Sequence, residues 1–80
     1  MDVKDILRSY IREEFEIEDD PDFTDDVHLF DIGFLDSLGA TQVILFIEEE
    51  FKIEITQKDL ILYPMNTIDE IALVIEEKLN

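Results

Sequence analysis

Apolar residues recur at helical spacing in three stretches of this chain. Val3, Ile6, Leu7, Tyr10, Ile11 and Phe15 follow the i, i+3, i+4, i+7 pattern, with Asp2 placed to cap the first turn. Ile68, Ile71, Ala72, Ile75 and Leu79 repeat it near the other end. That segment opens with Thr67-Ile68-Asp69-Glu70, in which the hydroxyl and the carboxylate can satisfy free backbone N–H groups as a capping box. Lys78 near its end suits the negative pole of the helix dipole. A middle helix is predicted from Ser37 to Phe51, and a short one over Gln57–Leu62 with Thr56 as its cap and Pro64 stopping it. Only Ile53-Glu54-Ile55 alternates with period two, which is too little for a strand. The expected fold is all-α: a small four-helix bundle of three main helices and one short one.

A long loop separates the first and second helices. From Glu16 to Asp36 the chain holds acids, Pro21 and Gly33, with no sustained period. Loops of this length in compact domains are uncommon and often functional. Its later half, with Leu29, Phe30, Ile32, Phe34 and Leu35, is too apolar to hang in solvent. It is expected to pack across the bundle and deliver Asp36-Ser37 to the start of the middle helix.

The middle helix has two apolar faces. On a wheel of about 100° per residue, Ala40, Val43, Ile44, Ile47 and Phe51 form a stripe assigned to the core. Leu38 and Leu45 point nearly the opposite way, beside Thr41, Gln42, Glu48 and Glu49. Two leucines rimmed by carboxylates read as a partner-binding strip, unless the folded loop covers Leu38. Gly39, in the first turn, either lets a partner or a covalent group pass close to the backbone or is tolerated in a frayed turn.

With 80 residues the chain has room for one modest core, expected as a single domain over 1–80. Core and walled pocket compete for residues at this size, which favours a binding or carrying module over a catalyst. Twenty-two acidic residues against six basic ones give a formal net charge of -16. Such a field repels nucleic acid and anionic lipid, and it speeds encounter with basic patches on protein partners. There is no cysteine, so disulfides and thiolate chemistry are excluded. Met1–Arg12 has no apolar run of the signal-peptide kind, no stretch is long enough to span a membrane, and a cytoplasmic monomer is expected.

Asp36 and Ser37 on their own are ordinary helix-start residues. Their setting is more specific. Phe30-Asp31-Ile32-Gly33-Phe34-Leu35-Asp36-Ser37-Leu38 resembles the phosphopantetheine attachment region of acyl and peptidyl carrier proteins, where an apolar loop ends in Gly before Asp-Ser-Leu or Asp-Ser-Met opens a helix. The resemblance continues through Ile47-Glu48-Glu49-Glu50-Phe51 and Ile53-Glu54-Ile55, and covers the order of helices along essentially the whole chain. Gly39, Gln42 and Val43-Ile44-Leu45 look closest to the D-alanyl carriers of teichoic acid modification and to stand-alone aminoacyl carriers. Fatty-acid synthesis carriers more often have an acid where this chain has Gly39, and Gly where it has Lys52.

The resemblance implies a carrier rather than an enzyme. Ser37 would receive a 4'-phosphopantetheine arm from coenzyme A, and the arm's thiol would hold an acyl or aminoacyl group as a thioester. Asp36 would belong to the attachment motif. The implied partners are a phosphopantetheinyl transferase, an acyl- or aminoacyl-loading ligase, and downstream transferases with basic docking patches. Leu38, Thr41, Gln42, Leu45, Glu48 and Glu49 would form the partner face. A phosphodiester on Ser37 would also sit well electrostatically, since a helix N-terminus favours negative charge.

Three rival readings frame this one. A serine nucleophile needs a base and an oxyanion hole, but the only histidine is His28 and no Gly-x-Ser-x-Gly elbow is present. A calcium module using Asp19, Asp20, Asp22, Asp25 and Asp26 does not fit the EF-hand spacing, so no dedicated metal site is expected. An acidic helical interaction module without an arm shares every feature except the chemistry at Ser37.

Overall fold

The computed structural model describes residues 2–17 and 20–79. Among them it is all-helical: α1 (Val3–Glu14), α2 (Ser37–Phe51), α3 (Gln57–Leu62) and α4 (Ile68–Leu79). Local chemistry sets each boundary. Asp2 caps α1 by accepting the Lys4 N–H at 2.9 Å. Thr56 and Asp59 form a reciprocal capping box on α3. At α4 the Thr67 hydroxyl accepts the Glu70 N–H at 3.0 Å, but the Glu70 carboxylate reaches one residue further back than expected, to the Asn66 N–H. Lys52 ends α2 with a left-handed φ of 56°, a conformation that glycine adopts at lower cost.

The core forms where α4 packs against α1 and α2. Ile68, Ile71, Ala72, Val74 and Ile75 of α4 are buried, with Leu7 and Ile11 of α1 and Val43 and Ile47 of α2. Ala40, Ile44 and Phe51, expected in that core, are only half-buried. No helix among the described residues is long and apolar enough to cross a membrane.

The loop before α2 is folded onto this core. Ile17, Phe23, Leu29 and Leu35 are buried in it. The Leu29 N–H donates to the Asn66 carbonyl at 2.9 Å, and the Leu29 carbonyl accepts the Leu35 N–H at 3.1 Å. The Asp25 carbonyl accepts the Asp69 N–H at 3.0 Å, so the loop is also tied to the first turn of α4. Gly33, at φ 90°, makes a turn that side chains resist. The chain therefore enters α2 in a set direction.

Three acids of this loop have partners. Asp20 accepts the Asp22 N–H at 2.9 Å, and Asp26 accepts the Thr24 hydroxyl at 2.6 Å. Asp25 lies 2.9 Å from Arg8 Nε, an ionic contact rather than an aligned hydrogen bond. Asp19 lies outside the described residues. No metal-sized cluster of His, Asp and Glu side chains occurs among the rest.

The short α3 has no buried residue, and an ion pair ties it to α4. Asp59 pairs with Lys78 of α4 at 2.7 Å while accepting from Thr56. The Lys78 ammonium and then the Thr56 groups hold the Asp59 carboxyl down at about 2, from an ordinary 3.8. A depressed folded-state pKa contributes stability that is full above 3.8 and is lost as pH falls toward 2. The attachment of α3 should therefore loosen over that acid window. Amide exchange of Gln57–Leu62 in wild type, compared with Asp59→Asn, checks this: the variant should exchange faster at neutral pH and lose the acid transition.

Candidate functional site

Asp36 stops the loop in an extended conformation and caps α2, its Oδ1 accepting the Gly39 N–H at 2.7 Å. Its carbonyl accepts the Ala40 N–H at 2.9 Å, closing the first turn. Ser37 is thus the first helical residue, and its side chain is exposed. The N–H groups of Ser37 and Leu38 meet no acceptor among the described residues, as the free amides of a helix start do. The first turn of α2 contains no acid, unlike those of α1, α3 and α4. A phosphodiester on the Ser37 oxygen would meet free amides and the positive dipole end, with no acid in the first turn and the Asp36 carboxylate bonded to the Gly39 N–H. The residues present fit that group.

No base hydrogen-bonds to Ser37 among the described residues. The His28 Nδ1 accepts the Asp31 N–H at 3.2 Å, so its ring is held within its own turn. The Thr41 hydroxyl donates to the Ser37 backbone carbonyl at 3.2 Å, and the serine's own hydroxyl makes no hydrogen bond among the described residues.

Gly39 has a structural role that neither sequence reading anticipated. It is buried, and a Cβ there would lie 3.0 Å from the edge of Phe15 and 3.3 Å from both Asp36 Oδ1 and Leu35. The missing side chain admits Phe15 and Leu35 against the start of α2, rather than a partner or a covalent arm. Gly39→Ala should gain up to about 1 kcal/mol of helix propensity but lose about 1–3 kcal/mol to overpacking. The expected net result is a lower unfolding midpoint, read by thermal melting of the two proteins.

The residues of the expected partner face divide. Leu38 is 69% exposed and Leu45 56% exposed, and Thr41, Gln42 and Glu49 are also at the surface. Glu48 is half-buried, and its Oε2 accepts the Ile55 N–H at 2.9 Å. Its carboxylate pins the α2–α3 connection. Helical spacing along α2 could not reveal that bond, because its donor lies in an irregular turn seven residues on.

Sequence reasoning also missed a cavity of about 320 Å³ between α2, α3 and the segment before α4. Ala40, Val43 and Ile44 line one side, with Leu60, Met65 and Ile71 opposite. Ser37, Ala40 and Ile44 are three and four residues apart and share a face of α2. The serine therefore stands on the same side of the helix as the cavity wall.

A family model described as "Phosphopantetheine attachment site" matches residues 5–75. A comparison with curated proteins found no match. Members of the matched family are non-catalytic carriers that bear covalent 4'-phosphopantetheine and interact with phosphopantetheinyl transferases and partner enzymes. Their common feature, an attachment point offered to other enzymes, agrees with an exposed helix start set by a packed loop. The matched span covers most of α1, the whole loop, α2, α3 and the buried part of α4, and the chain belongs to the phosphopantetheine attachment family of carrier domains.

Proposed function

We propose that Ser37 is the attachment residue, and that the chain presents an acyl or aminoacyl thioester on the arm to successive partner enzymes. The observation that carries this reading is the exposed, unbonded Ser37 side chain at the capped start of α2. Asp36 holds that helix start in shape, and Leu29 and Leu35 hold the loop that leads to it. The arm supplies a thiol, which the protein itself lacks. Incubation with coenzyme A and a broad-specificity transferase tests the assignment. One arm per chain is expected, and an unmodified folded protein would overturn it.

The cavity bears on the cargo. Its walls are chiefly apolar, with Asn66 as the one side-chain amide. Such a lining suits an aliphatic acyl chain better than the ammonium of an aminoacyl group, which loses hydration on burial. Cargo protection can be measured as thioester hydrolysis. Octanoyl thioester should outlast D-alanyl thioester more on this protein than on free pantetheine, and equal ratios would remove the cavity from the account.

Partner enzymes are proposed to dock on Leu38, Thr41, Gln42, Leu45 and Glu49, which share an exposed face beside Ser37. Glu48 contributes by fixing the loop rather than by a free charge. Glu49→Lys should slow association with the transferase severalfold at low salt and flatten its salt dependence. Stopped-flow rates at two ionic strengths check this, and unchanged rates would exclude Glu49 from the interface.

A further inference from the structure

The proposed docking face continues past Gln42, Leu45 and Glu49 into a groove on the side of α2 that faces α1. Tyr10 of α1 and Phe46 of α2 stack with centroids 3.8 Å apart and planes 8° from parallel. Two open concavities adjoin this pair. One of about 570 Å³ is edged by Asp5, Glu13 and Glu50, and another of about 270 Å³ by Glu14, Glu49 and Leu45. Together they make one groove with an aromatic floor and exposed carboxylates at both borders.

The chain's own cations pair with one of the five acids of this groove, Asp5. Lys4 pairs with Asp69, Lys78 with Asp59, and Arg12 lies over the Phe23 ring. Asp5 is paired, with Arg8 at 3.0 Å, whereas Glu13, Glu14, Glu49 and Glu50 form no ion pair among the described residues. Burial and then the charge of Glu14 push the Tyr10 hydroxyl up from its ordinary value, and the hydroxyl donates to the Gln42 carbonyl at 3.3 Å. Aromatic floor and anionic border together select one chemistry. A guanidinium can lie against a ring while its N–H groups reach carboxylates, a combination that an ammonium makes less well and an anion not at all.

We propose that the α1–α2 groove is a docking site for an arginine-bearing amphipathic segment of a partner protein, with guanidinium groups reaching Glu13 and Glu50 over the Tyr10–Phe46 stack. Phe46 is nine residues beyond Ser37, roughly 14 Å along the helix axis at 1.5 Å per residue. The groove therefore engages a different part of a partner from the part that meets the arm. Its action does not require Ser37 to be modified.

The test uses the full, unmodified chain and a capped helical peptide of leucine, alanine and arginine, with a counterpart bearing lysine at every arginine. Amide NMR titration should place the shifts in Ser9–Glu14 and Gln42–Glu50, and the lysine peptide should bind severalfold more weakly. Glu13→Gln with Glu50→Gln should raise the peptide Kd about tenfold. Glu76→Gln with Glu77→Gln, which removes the same charge from exposed positions of α4, should change it less than twofold. Equal loss in both double variants would overturn the proposal in favour of a diffuse acidic field. Shifts confined to Leu38 and α3, or no binding at low salt, would overturn it as well.

Discussion

Leu29→Ala should destabilise the protein by about 2–5 kcal/mol, the range for emptying a fully buried leucine site. A loss of about 3 kcal/mol in a domain of this size moves the unfolding midpoint by roughly 15 °C. Leu29 is fully buried among helix residues although it lies in the loop. Its backbone joins the segment before α4, through Asn66, to Leu35 at the approach to α2. Truncation leaves a cavity beneath the chain that delivers Asp36 and Ser37. The second consequence is functional: transfer of the arm should slow even at temperatures where the variant stays folded. Ile75→Ala, a comparable truncation in α4, provides the control. It should lower the midpoint to a similar degree while leaving the transfer rate on folded protein close to wild type. Equal rates for the two variants would show that the loop's packing does not present Ser37.

That link between a buried loop residue and an exposed serine shows which parts of the molecule a sequence reader can reach. The helices were legible because capping is local: Asp2, Asp36, Thr56 and Thr67 each bond within three residues of themselves. The carrier family was legible because an apolar loop, a glycine turn and Asp36-Ser37-Leu38 occur in one short run. Helical geometry placed Leu45 at the surface but left open whether the loop covers Leu38, and both are exposed.

What escaped depends on contacts across the fold. Gly39 reads as a free first-turn residue until Phe15, from beyond the end of α1, is seen to press on it. Glu48 belongs to the exposed side of the wheel, yet the returning chain brings the Ile55 N–H to its carboxylate. Ala40 and Ile44 fit the apolar stripe, but α3 stands off far enough to leave a cavity against them. Phe46 fell between the two faces of α2, and its partner Tyr10 comes from another helix. Periodicity reports which side of a helix is apolar. It carries no information about what the other elements place there.

The proposed carrier role requires the arm on Ser37. Intact mass after incubation with coenzyme A and a broad-specificity transferase tests it most directly, followed by peptide mapping of the adduct. Wild type should gain one phosphopantetheine per chain, located on the peptide that contains Asp36-Ser37. Ser37→Ala should gain none, while melting within about 1 kcal/mol of wild type, since an exposed serine contributes little to stability. The same mass increase on folded Ser37→Ala, or an adduct mapped to Ser9 or any other residue, would contradict the account.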